Sequence, residues 1–112
     1  MTVTPVTIWH EARDAARKAA HEANGKLGPE ASRGFDCGFA WVVITPCRGP
    51  VVSYLKAQGV GARGYGGGLH IWYSKLHDLG TQSISVHEAA ARAACEVFKR
   101  HGLQATWASR LD

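Results

Sequence analysis

Phe35-Asp36-Cys37-Gly38-Phe39-Ala40-Trp41-Val42-Val43-Ile44-Thr45 is the stretch whose reading decides the fold. The odd positions carry bulk: Phe35, Cys37, Phe39, Trp41 and Val43. The even positions begin small, with Gly38 and Ala40, and end apolar, with Val42 and Ile44. A strand sends alternate side chains to opposite faces, so both faces here read as buried. That predicts a central strand, with the Gly38/Ala40 side leaving room for a close neighbour.

Working outward, Thr4 and Pro5 read as an N-cap followed by proline at the first helical position. Trp9, Ala12, Ala16, Ala19, Ala20 and Ala23 then recur at helical spacing, and Gly25 is a suitable terminator. The alanine stripe suits docking against the Gly38/Ala40 face. Residues 25–34 read as a loop. Gly49 and Pro50 open a short helix that Gly59 closes, with Val51, Val52, Tyr54 and Leu55 as its buried side. Residues 69–74 predict a second strand, with His70, Trp72 and Ser74 on one face. Residues 81–85 predict a short third strand in a hairpin with it. Ser85-Val86-His87-Glu88 has the form of a capping box, opening a helix that Gly102 ends. Residues 103–108 predict a last strand. Mixed strands with few helices predict one α+β two-layer domain over residues 1–112. It has a three- or four-stranded sheet, two main helices and one short helix.

Composition bounds the function. The chain has 112 residues, 46% hydrophobic and 20% charged, which is the range of an ordinary globular domain. No apolar run approaches the roughly 20 residues that span a bilayer, and no signal peptide is legible, so a cytosolic protein without membrane partners is expected. Cys37, Cys47 and Cys95 form no C-x-x-C, and reduced thiols are the simplest account. The net charge of +4 admits an anionic partner.

Several patterns offer chemistry. Gly59-x-Gly61-x-x-Gly64 matches a dinucleotide fingerprint in letters but leads into a strand, where the fingerprint must open a helix. Six histidines lack H-x-x-x-H spacing, so no metal or other cofactor is expected. Cys37 with His70 is a conceivable nucleophile and base, but Cys37 lies in the most apolar run, where a thiol is usually inert. Binding is therefore expected over catalysis. Arg63, Tyr65 and the amides of Gly66, Gly67 and Gly68 suit a phosphate or another anion. Trp9 and Trp41 suit a core. Trp72 and Trp107 suit a shared outer sheet face, with Arg48, Arg63 or Arg110 near it to stack nucleobases or anchor a partner. Such an open face would also admit a homo-oligomer.

The segments FDCGFAWV (residues 35–42), YGGGLHIW (residues 65–72), Gln82 before an alanine-rich helix and the terminal SRLD resemble a family of small accessory proteins of tailed bacteriophages and prophages. The resemblance implies a setting, a host bacterial cytoplasm, and carries no catalytic residue. It implies a non-enzymatic protein that binds and inhibits a host or anti-phage-defence component, either a protein or a signalling nucleotide. The surface expected to do so is Arg63, Tyr65, Gly66, Gly67, Gly68, His70 and Trp72. The alternatives are nucleic-acid binding by the same basic and aromatic face, and a small Cys/His enzyme.

Overall fold

The computed structural model describes residues 3–27 and 36–112. Helix α1 spans Pro5–Leu27, strand β1 Gly38–Thr45, helix α2 Pro50–Ala57, strand β2 Ala62–Arg63 and strand β3 Leu69–Trp72. A 3-10 turn covers Tyr73–Lys75, then helix α3 spans Ile84–Arg100 and strand β4 Gln104–Leu111. The four strands form one antiparallel sheet in the order β2-β3-β1-β4. From β1 onward the chain reads βαββαβ. Its strand order and directions are those of the split βαβ, or ferredoxin-like, arrangement, with α1 added in front. This is the expected α+β domain, with β1 in the middle of the sheet. No helix among the described residues is long and apolar enough to cross a membrane.

Each end of α1 has a local cause. The Thr7 amide donates to Thr4 Oγ1 at 3.2 Å, so Thr4 caps the helix as expected. The helix runs through Gly25 to Leu27, and most of the expected 25–34 loop lies outside the described residues.

The two faces of β1 divide the molecule. Val42 pairs with Ile71 and Trp107, and Ile44 with Leu69 and Ala105, so these residues share one face with Gly38 and Ala40. Val42, Ile44, Leu69 and Ile71 are fully or almost fully buried. Burial is worth about 1.5–3 kcal/mol for each such side chain. A hydrogen bond nets only about 1 kcal/mol, so this buried face, more than the ladder, sets the strand register.

The helix on that face is α3, where α1 was expected. A Cβ at Gly38 would lie 2.6 Å from Ile84 Cδ1 and 2.5 Å from the Arg110 carbonyl oxygen. Helix α1 instead lays its alanine stripe along α3, with Ala12, Ala16 and Ala20 wholly buried. An apolar stripe specifies a close partner but not which one. Helix α3 buries Val86, Ala90, Ala91, Ala94, Val97 and Phe98, an arc wide enough to meet both the sheet and α1. Glu11 of α1 meets Arg100 and His101 at the end of α3, at 3.3 and 3.0 Å, an exposed link of small energetic value.

Two expectations around α3 are corrected together. The cap is Ser83, whose Oγ accepts from the Val86 amide, and the helix starts at Ile84. The third strand expected at residues 81–85 is reduced to a single bridge between Cys37 and Ser83. The Gly38 amide donates to the Gln82 carbonyl and the Ile84 amide to the Asp36 carbonyl. These bonds hold residues 82–84 beside the start of β1, so the cap falls at Ser83, two residues before Ser85. Glu88 is thereby released from capping and accepts a 2.6 Å hydrogen bond from Ser109 Oγ of β4.

Replacing Gly38 with alanine is expected to lower stability by about 1–3 kcal/mol, because backbone and a packed isoleucine both stand in the way. At Gly25, in α1, an added Cβ meets nothing among the described residues. There alanine should raise stability by about 0.5–1 kcal/mol. Urea unfolding of the two variants beside the parent checks both signs.

Candidate functional site

With α3 on one side of the sheet, the opposite side carries the odd positions of β1 and their partners. Phe39 pairs with Arg110, Trp41 with Ala108 and Trp72, Val43 with Thr106 and His70, and Thr45 with Gln104. Ala62 of β2 faces the same way, opposite His70. Phe39, Trp41 and Val43 are half-buried and Trp72 is 40% exposed. Among the described residues no helix covers them, and they pack chiefly against one another and their neighbours on the face.

The rings make a continuous strip. Trp41 and Trp72 lie 4.9 Å apart, Trp41 and His70 stack at 6.4 Å, and the Trp72 edge meets Phe39 at 6.4 Å. The Arg110 guanidinium sits over Phe39, 5.4 Å from the ring centre. Such ring and cation–π contacts are each worth about 0.5–1.5 kcal/mol beyond the area they bury. Along the four paired strands this face carries no carboxylate.

The glycine-rich turn closes one end of the face. It forms a β2–β3 hairpin in place of the expected hairpin between the second and third strands. The Gly64 amide donates to the Gly68 carbonyl and the Gly67 amide to the Gly64 carbonyl. The Gly67 donor is therefore spent inside the turn, and the expected cradle of three glycine amides is not formed as a set. Gly66 and Gly67 make its tip at φ 85° and 92°. A Cβ at Gly64 would overlap the His70 ring, so glycine there lets the imidazole lie flat between the turn and Trp41. Gly68 comes so close to β1 that a Cβ would lie 2.7 Å from Val43 Cγ1. Tyr65 is fully exposed at the rim.

Two hollows result. The central one, about 440 Å³, is lined by Trp41, Gly64, Tyr65, His70, Trp72 and Arg110. The other, about 400 Å³, runs along the β2 edge beside Gly61, Arg63, Gly64, His70, Trp72 and Lys75. Of the expected site residues, Tyr65, His70 and Trp72 converge on the central hollow. Arg63 pairs with Leu69 on the helix side of the sheet and reaches only the edge groove. Trp107 is also corrected: it lies on the helix side, under Arg92 of α3 at 5.2 Å, so no Trp72/Trp107 face exists. Trp41, expected in the core, takes its place. Phe39, Trp41 and Lys75 were missing from the expected surface. The signal for the first two was the phase of β1, since small residues mark the face a helix approaches and bulky rings mark the other.

The conceivable Cys37–His70 pair is not assembled. His70 pairs with Val43, six residues along β1 from Cys37, or about 20 Å. Residues 59–64 contain β2 and lead through the glycine turn into β3, not a helix, so the dinucleotide fingerprint lacks its anion-binding helix terminus. Among the described residues no group of three His, Cys, Asp or Glu side chains is placed to hold a metal.

Behind the strip lies a buried polar pair. Tyr73 stacks on Phe39 at 6.3 Å and on His87 at 3.7 Å. His77 Nε2 is 2.9 Å from His87 Nδ1, and the Leu79 amide donates to His77 Nδ1. That assigns the His77 proton to Nε2, which donates to His87, and leaves the His87 proton on Nε2. The His87 Nε2 donor finds no acceptor at hydrogen-bond distance among the described residues. A further proton would set two donors against each other. Burial pushes both rings below the usual histidine range, against the pull of the Asp78 carboxylate on His77; His87 falls to about 4, burial being reinforced by His77 and opposed by a backbone group of Thr81.

Comparison of the chain with protein-family models, with curated proteins and with solved structures gives no match.

The histidine pair predicts a pH dependence of stability. Unfolded histidine takes up its proton near 6.5, whereas folded His87 does so only near 4, so the unfolded state binds more protons between these values. Stability should be complete above about pH 6.5 and fall by up to about 3 kcal/mol as pH drops to 4. Urea midpoints measured at pH 7.5, 6, 5 and 4 check the direction.

Proposed function

We propose that this chain is a non-enzymatic binding module for single-stranded nucleic acid, with the open sheet face as its interface. The observation that carries this is the strip Phe39, Trp41, His70 and Trp72 on the two middle strands, flanked by Arg110 on one side and Lys75 on the other, without a carboxylate between them. Flat rings on an open sheet stack bases of any sequence, at about 1–3 kcal/mol per base, while cations take the phosphates. A four-stranded βαββαβ sheet with aromatics on its middle strands is also how a common class of RNA-recognition domain holds two or three bases. That likeness of architecture supports the reading.

A host or defence protein as partner would use the same exposed rings. Cations at both rims, with no carboxylate along the ring strip itself and Asp112 standing beyond its Phe39 end, favour a polyanion. In the setting that the phage resemblance implies, the ligand would be a strand exposed in an infected bacterial cell.

Fluorescence anisotropy with labelled 12-mers of DNA and RNA tests the proposal. Binding should weaken with salt, with a log–log slope of about −0.7 per phosphate engaged. Trp72→Ala should cost about 1–3 kcal/mol of affinity while the circular dichroism stays unchanged. No binding at low salt, or binding indifferent to both salt and Trp72, would refute it.

A further inference from the structure

Resting on the nucleic-acid reading, we infer that the ligand is a run of at least two nucleotides laid across the strands, and not a single nucleotide. The two hollows of the open face share Gly64, His70 and Trp72, so His70 and Trp72 form the ridge between them. Each hollow, at about 440 and 400 Å³, falls in the lower part of the range of small-ligand sites, about 300–1,000 Å³. Each therefore has room for one nucleoside and not for a longer strand.

Their linings differ in a way that assigns the occupants. The central hollow has rings on its floor, Trp41 and Trp72, and the free ring of Tyr65 at its rim. A base stacked on the floor is covered by Tyr65 from outside. The edge groove has glycine backbone along one wall and Ser74 and Lys75 at its end. It suits a sugar and phosphate leaving the stack. The cations stand on opposite sides of the ridge, Arg110 at the central hollow and Lys75, with Arg63, in the groove. One phosphate can neutralise only one of them, whereas a chain crossing the ridge neutralises both. The sheet itself sets the reach: three strand spacings from β2 to β4 cover about 14 Å, a span of two or three nucleotides.

The test is a length series of 5′-phosphorylated oligothymidylates, from the mononucleotide to the hexamer, competed against a labelled 12-mer. Affinity should rise about tenfold or more between monomer and trimer and then level off. Lys75→Ala should weaken the trimer several-fold and reduce its salt slope by about 0.7, while leaving the monomer unchanged. Tyr65→Ala should weaken both, since the base it covers is present in each. Both side chains are exposed, so neither change threatens folding. A monomer that competes as well as the hexamer would overturn the two-hollow path while keeping a nucleotide site. Failure of every length, including the 12-mer itself, would instead remove the nucleic-acid reading and this inference with it.

Discussion

The contact on which the rest depends is the approach of α3 to the start of β1. At Gly38 there is no space for even one carbon atom between the strand, the Ile84 side chain and the Arg110 carbonyl. That closeness puts α3 tight against the small-residue face of β1, with α1 stacked on α3 beyond it. All the long apolar surface of the helices is then consumed on one side of the sheet. Among the described residues, what remains for the other side is a short connection and a glycine-rich turn, without a helix. The open face is thus a consequence of how tightly the covered face is packed.

An uncovered face would ordinarily be polar, because an antiparallel sheet with one solvated side alternates apolar and polar residues. Here the solvated side carries Phe39, Trp41, Val43 and Trp72. Mutual ring contacts recover part of the cost of wetting them, but Trp72 and Tyr65 keep much of their surface in water. Apolar area left exposed forgoes about 25 cal/mol per Å², which nothing else in the fold requires. Folding alone does not call for the placement; stacking against a ligand, as proposed, would. The buried His77–His87 pair is a second such tension. It abuts the same strip through Tyr73, and its two rings hydrogen-bond to each other and to the Leu79 amide.

Much of the architecture was legible locally. The Thr4 cap, the short helix after Pro50 and the central strand follow from neighbouring residues and appear as read. Errors arose wherever two local signals competed. Ser83 and Ser85 can both cap a helix, and only the pairing of residues 82–84 with residues 36–38 selects the first. Trp41 and Trp107 are both large and apolar. Their fates were exchanged because one strand's phase can be known only relative to its partner's register. Of the candidate surface, Tyr65, His70 and Trp72 were legible from a glycine turn followed by an alternating strand. Arg63 was misplaced because a two-residue strand gives no period to read.

What the sequence by itself determined is the three helices, the strands β1, β3 and β4, and the existence of one small and one bulky face on β1. Those follow from side-chain volume and the two-residue repeat of a strand, which need no long-range information. Only the tertiary structure decided which helix fills the small face, and hence which face stays open. That choice depends on α3 being apolar on two sides, so that it packs between the sheet and α1. It is a matter of complementarity between segments nearly fifty residues apart, and no local pattern contains it.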